Sequence, residues 1–319
     1  MNIKTLSVAI IAAVSFNASA LTLRLADTMP EGVPNALGVA YFSKKVEEYS
    51  NGDIKVKVFS NGMLGGEREN VEQLKQGVVD MARVGAATLD SFTEAVKPVT
   101  LPYIFSDTDH LIRAMNGDAG QTLYKNMAKD GIYALNYFVI GSRSFYTKNK
   151  SINNPEDLNG LKIRVMPSQM AIKTMELLGA SPTPLPQGDV YSALQQGVID
   201  GAENAPQALI EHGHGNVAKF FSFDEHFNYP EFILISENAM KRLSPEEMGI
   251  IKKAAKEATV YEVDLAKAAV QHAIDTAKNI TFNKVDKTLF QAKVQPLYDQ
   301  LIAEDISAKK IIDQINAVR

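Results

Sequence analysis

The segment that most restricts this chain is Leu161-Lys162-Ile163-Arg164-Val165-Met166-Pro167. Apolar residues alternate there with two cations, the pattern of a short half-buried strand, and the proline ends it. A long cation in such a strand is costly unless its head group meets an opposite charge. Arg143 precedes a similar strand, Ser144-Phe145-Tyr146-Thr147, and Asn204 lies in Gly201-Ala202-Glu203-Asn204-Ala205-Pro206. Two arginines and an asparagine at strand ends make a candidate carboxylate clamp, because a guanidinium fork matches a carboxylate in two parallel hydrogen bonds. From the residues alone Arg164 has two readings: a salt bridge to a sheet neighbour, or a ligand contact.

Residues 1–20 read as a secretory leader, with Lys4, an apolar run over 6–16 and the small-residue site Ala18-Ser19-Ala20. The run is well short of the roughly 20 residues that a spanning helix needs. An exported chain starting near Leu21 is expected. The formal net charge is −4 with cations spread throughout, which offers no face for nucleic acid. Mild acidity does not bar an anionic ligand, since local cations make a site. There is no cysteine, which excludes disulfides, thiolate metal sites and thiol nucleophiles. An exported chain without disulfides relies on its core, as suits a bacterial periplasm.

Alternation predicts strands at 21–26 and 54–59, with a helix over 34–49 between them and another from Glu67 to Gly77. Strand, helix, strand in that order points to an α/β sheet with parallel strands. A short strand at 78–81 should follow. Leu74-Lys75-Gln76-Gly77-Val78-Val79-Asp80-Met81-Ala82 then finds an echo in Leu194-Gln195-Gln196-Gly197-Val198-Ile199-Asp200-Gly201-Ala202. Each reads as a helix closed by a left-handed glycine and then a buried strand. Two lobes sharing one unit would produce this, and so would a common corner used twice. Residues 98–105 read as a surface crossing, 107–130 as helix interrupted at 116–118, 132–140 as strand, 168–178 as helix and 181–186 as a turn. Ser244-Pro245-Glu246-Glu247 begins a long helical run to about 278, and helices from Leu289 and Ser307 close the chain.

The motifs taken in order resemble the solute-binding proteins of tripartite ATP-independent periplasmic (TRAP) transporters. They are Ser142-Arg143 before the aromatic strand, Asp157-Leu158-Asn159-Gly160-Leu161-Lys162-Ile163-Arg164-Val165, Gly179-Ala180-Ser181-Pro182-Thr183-Pro184, and Asp189-Val190-Tyr191-Ser192-Ala193-Leu194-Gln195-Gln196-Gly197. The resemblance spans essentially the whole chain after the leader. It implies an α/β fold with two lobes, a ligand cleft between them and a long helix spanning both. One lobe would hold residues 21–140 and 230–269, the other 141–229 and 270–319. It also implies a periplasmic receptor, expected to be monomeric, that delivers a small organic acid to membrane transporter subunits without cofactor or metal.

Carried over residue by residue, Arg164 matches the family arginine that pairs with the ligand carboxylate. Arg143 matches a second arginine, and Asn204 an asparagine at the same end. Asp27 and Glu67 fall where the first lobe meets the cleft. Gln187 stands where sialic-acid-binding relatives have an aromatic residue, and Gly85 where they have an acid, which argues against sialic acid. Two acceptor carboxylates facing one arginine clamp suit a uronate or related sugar acid. A C4-dicarboxylate would need a further cation, and none is evident in the sequence. An exported enzyme is the rival class. Gly213-His214-Gly215-Asn216-Val217-Ala218 fits a dinucleotide fingerprint by letter, yet it follows a helical segment instead of a strand. His212 and His214 lack a third ligand and read as solvent-facing loop residues.

Overall fold

The computed structural model describes residues 20–319, so the leader read over 1–20 lies, but for its last residue, outside the described part. Two sheets organise the rest. The first contains β1 (Leu21–Ala26), β2 (Ile54–Phe59), β3 (Met81–Gly85), β4 (Tyr133–Phe138) and β10 (Glu231–Ile235), in the order β2-β1-β3-β10-β4. The second contains β5 (Arg143–Thr147), β6 (Lys162–Val165), β7 (Ser181–Pro184), β8 (Gly201–Asn204), β9 (Phe220–Phe227) and β11 (Thr281–Lys284), in the order β11-β9-β5-β8-β6-β7. In each sheet a parallel set, β2-β1-β3 or β8-β6-β7, abuts an antiparallel strand, β10 or β5. The fold is α/β and two-lobed.

The internal echo is structural. Gly77 and Gly197 both cap their helices in the left-handed region, at φ 72° and 75°, where a side chain would be strained. Asp80 then accepts from the Arg24 amide at 2.7 Å, and Asp200 from the Lys162 amide at 2.9 Å. One corner therefore ties its helix to the same edge of a parallel pair in both lobes.

The chain crosses between the sheets at residues 138–143 and 227–231, and once more along the helix Pro245–Thr276. This 32-residue helix starts with the expected capping box, Ser244 with Glu247. It packs along the helix Pro34–Tyr49 and β4, passes Gly141 at Val270, and hands the chain to β11 in the second sheet. The largest apolar cluster is shared between lobes. It joins Val84 and Phe232 of the first sheet to Phe145 and Ile163 of the second through Phe290 and Ile312 near the C-terminus.

Several elements differ from expectation. β3 begins at Met81, not at 78, because residues 78–80 turn the chain and leave Val78 exposed. Residues 98–105 do not run over the surface. Val99, Leu101, Ile104 and Phe105 are buried in the shared core. The proline-rich turn at 181–186 is in part β7, an edge strand bonded to β6 alone, a position that tolerates proline. The aromatic strand β9 and short β11 are additional. The helix Ile306–Asn316, expected with the second lobe, packs on helices of the first, Lys97–Thr100, Thr108–Asn116 and Asp118–Lys129. Its buried residues Ala308, Ile311, Ile312 and Ile315 form a stripe at helical spacing, and the Ile315 carbonyl lies 2.8 Å from His110 Nε2.

The long helix approaches the helix Pro34–Tyr49 where Gly38 leaves room. A Cβ there would lie 2.8 Å from Phe138 Cζ and 2.9 Å from Glu262 Cβ. Replacing glycine by alanine within a helix gains about 1 kcal/mol in propensity, while overpacking a core costs typically 1–3 kcal/mol. Since a ring and a packed helix must both shift, Gly38→Ala is expected to destabilise by about 1–2 kcal/mol. Urea unfolding checks this, and a variant as stable as wild type would show that the helices can separate freely.

Candidate functional site

A cavity of about 420 Å³ opens between the lobes, lined from the second by Arg143, Arg164, Asn204 and Gln187 and from the first by Glu67 and Arg68. Topology places these groups: β5, β6 and β8 are neighbours in the second sheet, so their ends bring the two arginines and the asparagine together.

Arg164 is 2 % exposed. Its Nε and Nη2 donate to the Leu185 carbonyl at 2.9 and 2.6 Å, and its Nη1 donates to Gln187 Oε1 at 3.3 Å. These bonds engage three of the five guanidinium N–H groups. No carboxylate among the described residues lies within 4.0 Å. Burial accordingly depresses its pKa, offset only partly by the more distant Glu203.

Arg143 is different. Its Nε donates to Glu203 Oε2 at 2.7 Å and its Nη2 to Glu203 Oε1 at 2.8 Å, a bidentate pair. Its Nη1 donates to Asn204 Oδ1 at 2.7 Å, and the Ala205 amide donates to the same oxygen at 2.9 Å. With that oxygen occupied twice, Asn204 is oriented with its NH2 as the free, donating end. Arg143 therefore positions Asn204 as well as lining the cleft.

Behind Glu203 stands His226, with Nδ1 2.7 Å from Asp224 Oδ2 and Nε2 3.6 Å from Glu203 Oε2. A bulge in β9, with Glu225 at φ 52°, brings Asp224 and His226 inward. Burial would lower the His226 pKa, but Asp224 and then Glu203 outweigh it and raise it to about 9. Burial would raise Glu203, but Arg143 and then His226 hold it down to about 2.

In the first lobe a third buried arginine, Arg83 of β3, bonds Asp27 Oδ1 (2.7 Å), Glu231 Oε2 (2.6 Å) and Thr28 Oγ1 (2.8 Å). Glu67 Oε1 is 3.3 Å away. Asp27, expected as a cleft contact, is 1 % exposed and spent on Arg83. It sits behind the wall. Glu67 does line the cleft, and its Oε2 accepts from Thr88 Oγ1 at 2.7 Å and the Gly85 amide at 3.2 Å.

The chain matches the family model for bacterial extracellular solute-binding proteins, family 7 (DctP), over residues 25–305. It belongs to this family. A curated relative, the uncharacterised protein YiiZ of Salmonella typhimurium, is 39 % identical over 269 residues, covering 82 % of this chain and 81 % of the relative. A TRAP periplasmic solute-binding protein of Xanthobacter autotrophicus, solved with bound β-D-galacturonate, is 36 % identical with a TM-score of 0.90. The match covers 93 % of this chain and 100 % of that one. A TRAP periplasmic protein of Chromohalobacter salexigens, solved with D-glucuronate, is 31 % identical with a TM-score of 0.90, at the same coverage of 93 % and 100 %.

Other features of this solute-binding protein depart from expectation. A further cation does face the cleft: Arg68, stacked over Phe92 at 5.2 Å and 3.5 Å from Glu72. His214 is not solvent-facing but 1 % exposed, with Nδ1 2.7 Å from the Tyr146 hydroxyl. The 213–218 segment is a tight turn with no strand before it, so the fingerprint has no dinucleotide context. Glu211 and His212 line the cleft and were not anticipated. Burial pushes Glu211 up to about 7, and burial followed by Arg164 pushes His212 down to about 4. Among the described residues no group of three His, Asp or Glu side chains is arranged to hold a metal.

The His226 cluster sets a pH dependence. A folded-state pKa near 9 lies above the ordinary value of about 6.5, so the stabilisation is complete below pH 6.5 and lost as pH rises through 9. The stability gap between wild type and His226→Asn is expected to narrow by on the order of 1–3 kcal/mol across that window. Denaturant titrations at pH 6, 7.5 and 9.5 measure it. A constant gap would mean that folding does not shift the His226 pKa.

Proposed function

We propose that this protein is an exported, non-enzymatic receptor that binds a uronate between its lobes and delivers it to TRAP membrane subunits. The observation that carries this reading is Arg164, a guanidinium buried at the cleft wall with no acidic partner. The other two buried arginines, Arg83 and Arg143, each hold carboxylates of the protein itself. Burying a cation unpaired is costly, and a ligand carboxylate would relieve that cost. Asn204 would donate to the same carboxylate through its NH2. Gln187 and Glu67 would meet the rest of the ligand.

Sugar acids are favoured over dicarboxylates by the balance of charge opposite the clamp. Arg68 is the one first-lobe cation on the cleft wall among the described residues, and Glu67, Glu69 and Glu231 share that wall with it. These carboxylates accept from hydroxyls and repel a second anionic group. That relatives at 31 and 36 % identity hold glucuronate and galacturonate supports the same choice. Closure of the lobes over the ligand would form the state that the membrane subunits recognise. The N-terminal leader would place this exchange in the periplasm.

Catalysis is disfavoured by the same chemistry. His214 is held by Tyr146 and His226 by Asp224, while His212, at a pKa of about 4, is a weak base at neutral pH.

Arg164→Ala is expected to weaken uronate binding at least 30-fold, since truncating one side of a buried charge pair costs about 2–5 kcal/mol. Arg164→Lys should recover little, because an ammonium is a point charge without the fork. Calorimetry with D-glucuronate, D-galacturonate and the matching neutral sugars tests both statements. Equal affinity for acid and neutral sugar, or a fully active lysine variant, would remove the clamp from the mechanism.

A further inference from the structure

The half-buried and buried polar side chains of the cleft wall are mostly engaged within the protein, as Glu67, Glu231, Asn204 and Gln207 show. Glu211 and His212 differ. Both line the cavity and are half-buried, yet neither side chain has a hydrogen-bond or ion-pair partner among the described residues. Their polar atoms are not sealed in either, unlike Gln207 Oε1 and Gln187 Nε2, which are buried. The backbone that carries them is held at both ends. Glu211 closes the helical turn Ala208–Glu211, which follows Gln207, and Gln207 Nε2 donates to the Ile140 carbonyl at 2.6 Å. On the other side Gly213 turns the chain at φ 67° against the Tyr191 ring, and His214 is fixed by Tyr146. Glu211 is thus an unpartnered, accessible carboxyl on a rigid part of the cleft wall.

We propose that Glu211 is a specificity-determining residue of this cleft, whose carboxylate accepts a hydrogen bond from a ligand hydroxyl away from the clamped carboxylate. The inference rests on the sugar-acid reading above and deepens it. A cation within about 4–6 Å would hold a carboxyl pKa down. Burial alone acts on Glu211, pushing it up to about 7, whereas the neighbouring His212 feels Arg164. Glu211 therefore stands off the clamp and faces the hydroxyl-bearing part of a ligand held there. A carboxylate withdrawn from bulk water without a partner is costly, and a ligand hydroxyl donating to it offsets that cost through a charge-assisted bond, about twice as strong as a neutral one. A methylene at the same place leaves the carboxylate unmet, and a second carboxylate would be repelled. Sites built on such a group reject the analogue that lacks its partner more strongly than apolar pockets do.

The test uses the full mature chain and titration calorimetry at pH 8, where the carboxyl is ionised, with D-glucuronate, D-galacturonate and their 2-, 3- and 4-deoxy forms. Wild type is expected to bind one deoxy form about 10- to 100-fold more weakly than its parent. Glu211→Leu should bind that parent and that deoxy form alike, while the other deoxy forms keep their wild-type ratios to the parent. Glu211→Gln, of the same shape with a neutral acceptor, should keep the discrimination at a smaller ratio. Without ligand, Glu211→Gln should melt no lower than wild type, because it loses no bond within the protein and a carboxyl raised by burial costs stability at this pH. Wild-type ratios for every deoxy form in both variants would show that the carboxyl meets no hydroxyl and overturn the proposal. So would a lower melting temperature of Glu211→Gln, the mark of a structural role, or a wild-type protein indifferent to each hydroxyl. A wild-type protein that binds none of the uronates would instead overturn the functional reading, and this inference with it.

Discussion

The architecture depends on how three buried arginines are neutralised. Arg83, Arg143 and Arg164 are all at most 4 % exposed, and each would be prohibitive alone. Arg83 is enclosed by Asp27, Glu67 and Glu231, and Arg143 by Glu203 with His226 behind it. Arg164 has only carbonyl and amide oxygens around it. That asymmetry separates scaffold from site. Two arginines are held by the protein's own acids, and the third keeps part of its donor set for something else.

The internal echo gives this asymmetry a structural origin. Six residues after the left-handed glycine, the first lobe carries Arg83 and the second carries Glu203. The same position in the same corner thus holds opposite charges, each surrounded by partners of the other sign. In the first lobe the surplus is acidic, so carboxylates such as Glu67 and Glu231 reach the cleft. In the second, Glu203 uses up Arg143 alone and leaves Arg164 over. A cleft with acceptors on one wall and a cation on the other is the outcome, and it matches a ligand with a carboxylate at one end and hydroxyls at the other.

Much of this was legible because the governing rule is local. An arginine in an apolar alternation must have a partner, and that singled out Arg164. The same rule applies to Arg83 in Met81-Ala82-Arg83-Val84-Gly85, but placing the strand at 78–81 left Arg83 outside it. The resemblance places Asp27 at the cleft, whereas in the structure it is the partner of that arginine. His226 and Gln207 were hidden for another reason. His226 faces Glu203 only because β9 bulges against β5, and Gln207 is oriented by a carbonyl 67 positions away. Neither relation leaves a trace in local pattern. The aromatic run 220–223 carries a strand signal by composition, without the alternation that marks a half-buried strand.

Sharing one core limits how the lobes can move. The large apolar cluster continues from the first sheet through the C-terminal helices into the second, and interiors of that density resist continuous deformation. Polar ties cross the boundary as well. Asp90 of the first lobe accepts from Ser168 Oγ at 2.5 Å and the Met170 amide at 3.0 Å, at the start of a second-lobe helix, and Gln207 holds Ile140 on the crossing strand. Any change in lobe angle must therefore bend the chain at the crossings, residues 138–143 and 227–231, and along the long helix near Val270, where Gly141 leaves room for it. Arg143 and Asn204 both sit at or beside those crossings. A ligand held by them is in contact with the segments that any change in lobe angle must bend, so binding and closure draw on the same few residues.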